Sequence, residues 1–208
     1  RRPMRPKPLM PIRMDMKASP SASLTYRAHC NRKPPPFLGR RQSELRSLPM
    51  PMVSPPAEAS CPICALHGDQ AELTAHEIWR NDLWLLRHHP RPAPLAGWCL
   101  LDSRRHCGGP INFVPEEAQD WGVVVQRASQ LVRAVTGCER VYAIAFGEGA
   151  RHLHLHLIPR SADDPRTSAW KIADLYRDVE AGKVNAASAD CVNEWVLRAR
   201  DLASAVLD

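Results

Sequence analysis

The formal net charge of +6 over 208 residues is unevenly placed: residues 1–56 hold 12 Lys/Arg against two acids, Asp15 and Glu44, while residues 57–208 are net negative. The length suits one ordinary domain with a tail, and the acidic balance of the part able to fold gives nucleic-acid binding by that part no support from charge. No apolar run approaches the ~18 residues of a membrane span, and no secretory apolar segment is visible.

Twelve of the 20 prolines lie in residues 1–56, among them Pro34, Pro35 and Pro36, and no apolar period runs through the stretch. Such a segment buries too little surface to offset its ordering entropy and is expected to be a disordered tail. Its Arg-rich, acid-poor composition also fits an organelle transit peptide, and Met52 offers an internal start, so the tail reads either as targeting sequence or as an upstream extension. Of the seven cysteines, only Cys61 and Cys64 have a spacing with a mechanism; Cys30, Cys99, Cys107, Cys138 and Cys191 are scattered. That usage points to a reducing, cytoplasmic compartment with a metal site rather than to a disulfide framework.

From residue 57 onward the elements are expected in this order. Residues 75–81 and 82–89 read as two short strands joined at Asn81-Asp82, and residues 97–103 as a buried strand after a proline-punctuated loop. A long helix begins at Pro115, whose fixed φ suits a first turn, with Glu116 and Glu117 at the positive end of the dipole. Trp121, Val124, Val125, Ala128, Leu131, Val132 and Val135 recur at helical spacing, and Thr136-Gly137 closes the run. Strands are expected at 141–147 and 152–158, with Gly147 and Gly149 in the turn between them. A short helix from Trp170 to Gly182 and a final amphipathic helix follow. Hairpin-length connections imply an α+β fold, an antiparallel sheet of about five strands with helices on one side.

Residues 151–160 read RHLHLHLIPR. Alternate residues of a strand share a face, so His152, His154 and His156 line one side and Leu153, Leu155 and Leu157 the other. Successive rings on that face lie roughly 6.5–7 Å apart, twice the strand rise, so a single phosphate or metal cannot easily touch all three. Three ionisable groups in register beside a glycine turn point to a functional cleft. The segment CPIC supplies two thiolates at a spacing that tetrahedral Zn²⁺ accepts, leaving two further ligands to be found.

The HLHLHLI segment, together with GWCLLDSRRH, PEEAQDW, VYAIAFG and IPRSADDP in that order, resembles the histidine triad (HIT) superfamily of nucleotide hydrolases and transferases. The resemblance covers about residues 57–170, leaving 171–208 as a C-terminal helical extension. It implies a nucleotide hydrolase acting at an α-phosphate, with dinucleoside polyphosphates or nucleoside phosphoramidates as the substrate class. The middle histidine, here His154, is then the nucleophile, with His156 near the phosphate oxygens and leaving group. Amides around Gly147 and Gly149, and Arg151, would contact phosphate. Glu148 stands where relatives often carry Asn.

The zinc-bearing branch, which includes galactose-1-phosphate uridylyltransferase, takes its remaining metal ligands from positions matching His106 and His152. That implies a structural Zn²⁺ on Cys61, Cys64, His106 and His152, with Cys107 as a competitor to His106. His67, His76, His88 and His89 belong to no such constellation and read as surface residues. A nucleotidyltransferase is less favoured, because uridylyltransferases replace the third histidine with glutamine and His156 is retained. A non-catalytic, zinc-stabilised nucleotide-binding module is the alternative of another class. The family also commonly forms homodimers.

Overall fold

In the computed structural model, residues 61–147 and 149–208 are described. The expectations for residues 1–56, and for Glu148, lie outside them. Two short helices come first, α1 (Pro62–Gly68) and α2 (Gln70–His76), followed by strands β1 (Glu77–Arg80), β2 (Trp84–His88) and β3 (Cys99–Ser103). The long helix α3 (Pro115–Thr136) leads into β4 (Arg140–Ile144) and β5 (His154–Arg160), and helices α4 (Ile172–Glu180) and α5 (Ala189–Leu207) complete the chain.

The five strands form one antiparallel sheet in the order β1-β2-β3-β5-β4. The α+β reading holds, and the long helix spans Pro115 to Thr136 as its period predicts. Several bounds differ from expectation: residues 75 and 76 close α2 before β1 begins at Glu77, β3 begins at Cys99, β4 ends at Ile144, and α4 spans only Ile172–Glu180. The stretch around CPIC is helical, because Pro62 fits a first helical position and Asp69 caps α2 by accepting from the Ala71 and Glu72 amides. Strand β5 starts at His154 rather than His152 and continues through Pro159 to Arg160. Pro159 stays in the ladder opposite Val141, extended enough to accommodate its fixed φ.

One sheet face carries Trp84, Leu86, Cys99, Leu101, Leu155 and Leu157, packed against Val124, Ala128, Leu131, Val132 and Val135 of α3. Helix α5 joins the same core through Val192, Trp195, Val196 and Ala199. It also grips the start of the sheet: Arg200 donates to the carbonyls of Glu77 and Thr74, and the Trp79 indole donates to Asp208. Glu117 is buried, and its carboxylate accepts from the Val114 amide at 3.0 Å and from Arg105, tying the head of α3 to the end of β3.

The second face is covered too, against the expectation of helices on one side. Ile172, Leu175 and Val179 of α4 pack on Trp98 and Ile158, while α1 lies over the other end of the strands. Every residue of β2 and β3 is buried, Arg87, His88 and Asp102 included, as expected of strands covered on both faces.

Candidate metal centre and histidine cleft

The chain turns sharply after β4. Gly147 takes a left-handed φ of 70°, a conformation open to glycine at no steric cost, and the strand that follows returns antiparallel beside β3. This register fixes the site, since Asp102 stands opposite His154 and Leu100 opposite His156. On β2, Leu85, Arg87 and then His89 share that same face.

Just before β5, the His152 ring is buried and its Nε2–H donates to the Ser103 carbonyl at 2.7 Å. A carbonyl only accepts, so the lone pair of this neutral imidazole lies on Nδ1. Nδ1 stands 3.5 Å from Cys61 Sγ and 3.4 Å from Cys64 Sγ, and His106 Nδ1 lies 3.3 Å from Cys64 Sγ. All four ligand atoms fall within 4.8 Å of one another. A tetrahedral ion with Zn–S of about 2.3 Å and Zn–N of about 2.0 Å separates its S and N ligands by about 3.5 Å, so these four residues fit one. The Ser103 bond is the kind of outer contact that would orient His152 for metal ligation. Cys107 lies apart, buried with its thiol toward Ser103 Oγ at 3.4 Å, and no disulfide joins the described cysteines.

Beside the cluster opens a cleft of about 810 Å³, within the range of about 300–1,000 Å³ usual for small-molecule sites. Its walls include Ile63 and Leu66 of α1, Leu100 of β3, Phe146, and Tyr176 of α4; the polar lining includes His154, His156, His89 and Arg87, with Arg91, Arg177 and the acids Asp69, Glu72 and Glu180 around them. His154 is half-buried, and its Nδ1–H donates to the His152 carbonyl at 2.6 Å. The rings of His154 and His156 are 5.4 Å apart. His156 is buried among Trp98, Phe146, Tyr176 and His89, and its Nδ1 lies 3.0 Å from Trp98 Nε1. Burial, with His154 and His89 nearby, pushes its pKa down to about 3. Of the turn residues, Gly149 lines the cleft, whereas Gly147 shapes the turn and Arg151 is exposed outside the lining.

The four histidines read as surface residues are placed otherwise. His88 is fully buried; its Nδ1–H donates to the His89 carbonyl and its Nε2 accepts from the Gly97 amide, while burial pushes its pKa to about 4. His89 lines the cleft, donates from Nδ1 to the Pro90 carbonyl at 2.8 Å, and is likewise pushed by burial to about 4. His67 bonds Asp102 at 3.0 Å, and His76 is half-buried at the end of α2. Adjacent strand residues face opposite sides, so His88 is sealed in the core while His89 faces the cleft. The missed signal was the position of the pair at the end of an apolar strand.

Asp102 and Arg87 form a buried pair beside the nucleophile candidate. The Arg87 Nε donates to Oδ2 at 2.6 Å and Nη2 to Oδ1 at 3.3 Å. His67 bonds the same Oδ2 from the end of α1, the helix that follows Cys61 and contains Cys64. One carboxylate therefore links the metal cluster's helix to the floor of the cleft. No helix among the described residues is long and apolar enough to cross a membrane.

No family model matches the chain, and no curated protein does. Solved structures do. A zinc-bound histidine triad family protein from Mycobacterium smegmatis superposes with a TM-score of 0.51 at 20% identity, over 70% of this chain and 97% of that one. A hypothetical histidine triad nucleotide-binding protein from Sulfolobus tokodaii gives 0.50 at 14% identity, over 68% and 90% respectively. The strand order, the sites on β5 and these superpositions agree that the chain has the histidine triad fold.

Proposed function

We propose that the protein is a histidine triad hydrolase that cleaves a phosphoanhydride or phosphoramidate bond at a nucleotide α-phosphate. The observation that carries this reading is the state of His154. Its Nδ1–H is tied to the His152 carbonyl, so in the neutral ring the lone pair sits on Nε2, at the wall of a cleft large enough for a nucleotide. Neutral imidazole is a competent nucleophile near pH 7. In the first step Nε2 of His154 attacks the α-phosphorus; the P–N bond forms as the bond to the leaving oxygen or nitrogen breaks, and the leaving group takes up a proton. Water then attacks the phosphoramidate, the P–N bond breaks, and the nucleoside monophosphate departs with His154 restored.

The apolar walls, Phe146 and Leu100 among them, suit a base and ribose, and the backbone at Gly149 suits phosphate oxygens. Cys61, Cys64, His106 and His152 would hold Zn²⁺, the ion found in the Mycobacterium smegmatis relative. Four protein ligands leave no open position, so the ion's contribution is to fix structure. His152 then anchors the strand whose carbonyl orients His154.

Incubation with diadenosine polyphosphates and adenosine phosphoramidates tests the reading. Nucleoside monophosphate should be released, and an acid-labile nucleotidyl adduct should be trapped on His154. His154→Ala should abolish both. Binding without turnover or adduct would leave a non-catalytic nucleotide-binding module as the function.

A further inference from the structure

Trp98 is fully buried, does not line the cleft, and donates its indole N–H to Nδ1 of His156 at 3.0 Å. An indole nitrogen can only donate, so Nδ1 of His156 must present its lone pair and carry no proton. We propose that Trp98 is a positioning residue that holds His156 as the neutral tautomer with its proton on Nε2, making it a fixed hydrogen-bond donor to the phosphoryl group. The inference rests on the hydrolase reading for its consequence but not for its geometry.

The two triad rings in the cleft thereby receive opposite assignments from opposite kinds of partner. A backbone carbonyl leaves His154 with its lone pair on Nε2, and an indole leaves His156 with its proton there. One ring attacks phosphorus while the other donates toward charge building on the phosphoryl or leaving oxygen, and neither needs to change tautomer first. A backbone carbonyl in place of the indole would have produced a second acceptor and no donor. The groups facing His156 are His154 on its own strand, Arg87 from β2 and His89 just after it, Asp102 from β3, and Tyr176 from α4. Arg87, itself buried, lies on the same side and opposes a positive charge on this ring.

The tautomer can be read directly by nitrogen-15 NMR of the substrate-free protein, with His156 assigned by comparison with His156→Gln. The wild type should show a protonated Nε2 and an unprotonated, hydrogen-bonded Nδ1 at pH 7. A protonated Nδ1 would overturn the proposal without any variant being made. In Trp98→Phe, which keeps an aromatic ring, the Nδ1 signal should lose its hydrogen-bond shift and the second tautomer should become populated. kcat should fall about 10- to 100-fold, the range seen when an outer partner of a site residue is removed, with KM little changed. Unchanged tautomer and kcat in that variant would also overturn it. A wild type with the expected tautomer but no turnover of any nucleotide would defeat the hydrolase reading, and the tautomer assignment would stand.

Discussion

Breaking the Arg87–Asp102 pair should cost more than any surface ion pair in the molecule, and the size follows from its burial. Asp102 is 0% and Arg87 2% exposed, and two guanidinium nitrogens meet the two carboxylate oxygens. At about 4 Å between charge centres and an effective dielectric near 20, their attraction is about 4 kcal/mol. Desolvating both ions consumes a comparable amount, so the intact pair contributes little net stability. Removing one partner is different, because the surviving charge keeps its burial cost and loses its compensation. Asp102→Asn, which strands the guanidinium, and Arg87→Met, which leaves the carboxylate with His67 alone, should each cost about 3–5 kcal/mol. For a domain of this size that lowers Tm by about 6–20 °C. The double variant buries no unpaired charge and should fall well short of the summed losses, with a coupling of at least about 2 kcal/mol. Urea unfolding of the four proteins, with m-values checked for constancy, gives the cycle. Single-variant losses below about 1 kcal/mol, or losses that add within about 0.5 kcal/mol, would refute the reasoning.

The buried groups also set the pH dependence of stability. His88 is fully buried and pushed to about 4, so as pH falls below about 6.5 the unfolded chain takes up this proton before the folded one. That alone should remove about 2 kcal/mol between pH 7 and pH 5, and an unchanged urea midpoint over this interval would contradict it. Burial by itself would raise the Asp102 carboxyl, but Arg87 and His67 hold it below the usual range. Its stabilisation is full above the unfolded value of about 3.9 and is lost as pH falls through the lower folded value, so acid unfolding should move to higher pH in Arg87→Met. For the metal, purified protein should carry one zinc per chain, and Cys64→Ser should lose it. A site saturated about 1,000-fold over its Kd adds about 4 kcal/mol, so chelation should lower Tm by about 8–16 °C; zinc-free protein indifferent to added Zn²⁺ would defeat the assignment.

The sequence alone determined what depends on local periodicity and covalent spacing. The long helix is written in the positions from Trp121 to Val135, and alternation along β5 puts Leu155 and Leu157 in the core and His154 and His156 in the cleft. The metal set was legible only through resemblance, since Cys61 and Cys64 lie 91 and 88 residues from the His152 ring they meet. Hidden from any local pattern was the second covered face of the sheet. Helix α4 closes over Trp98 and Ile158, α1 closes over the other end, and residues that one-sided packing would have left wet became buried. That closure draws His89 into the cleft, seals the Arg87–Asp102 pair and encloses the bond from Trp98 to His156, while His88, on the opposite face, is buried against Trp195 of α5. Such contacts depend on which strands are neighbours and which helices cover them, and a strand's sequence records its own two faces but not what will be laid over each.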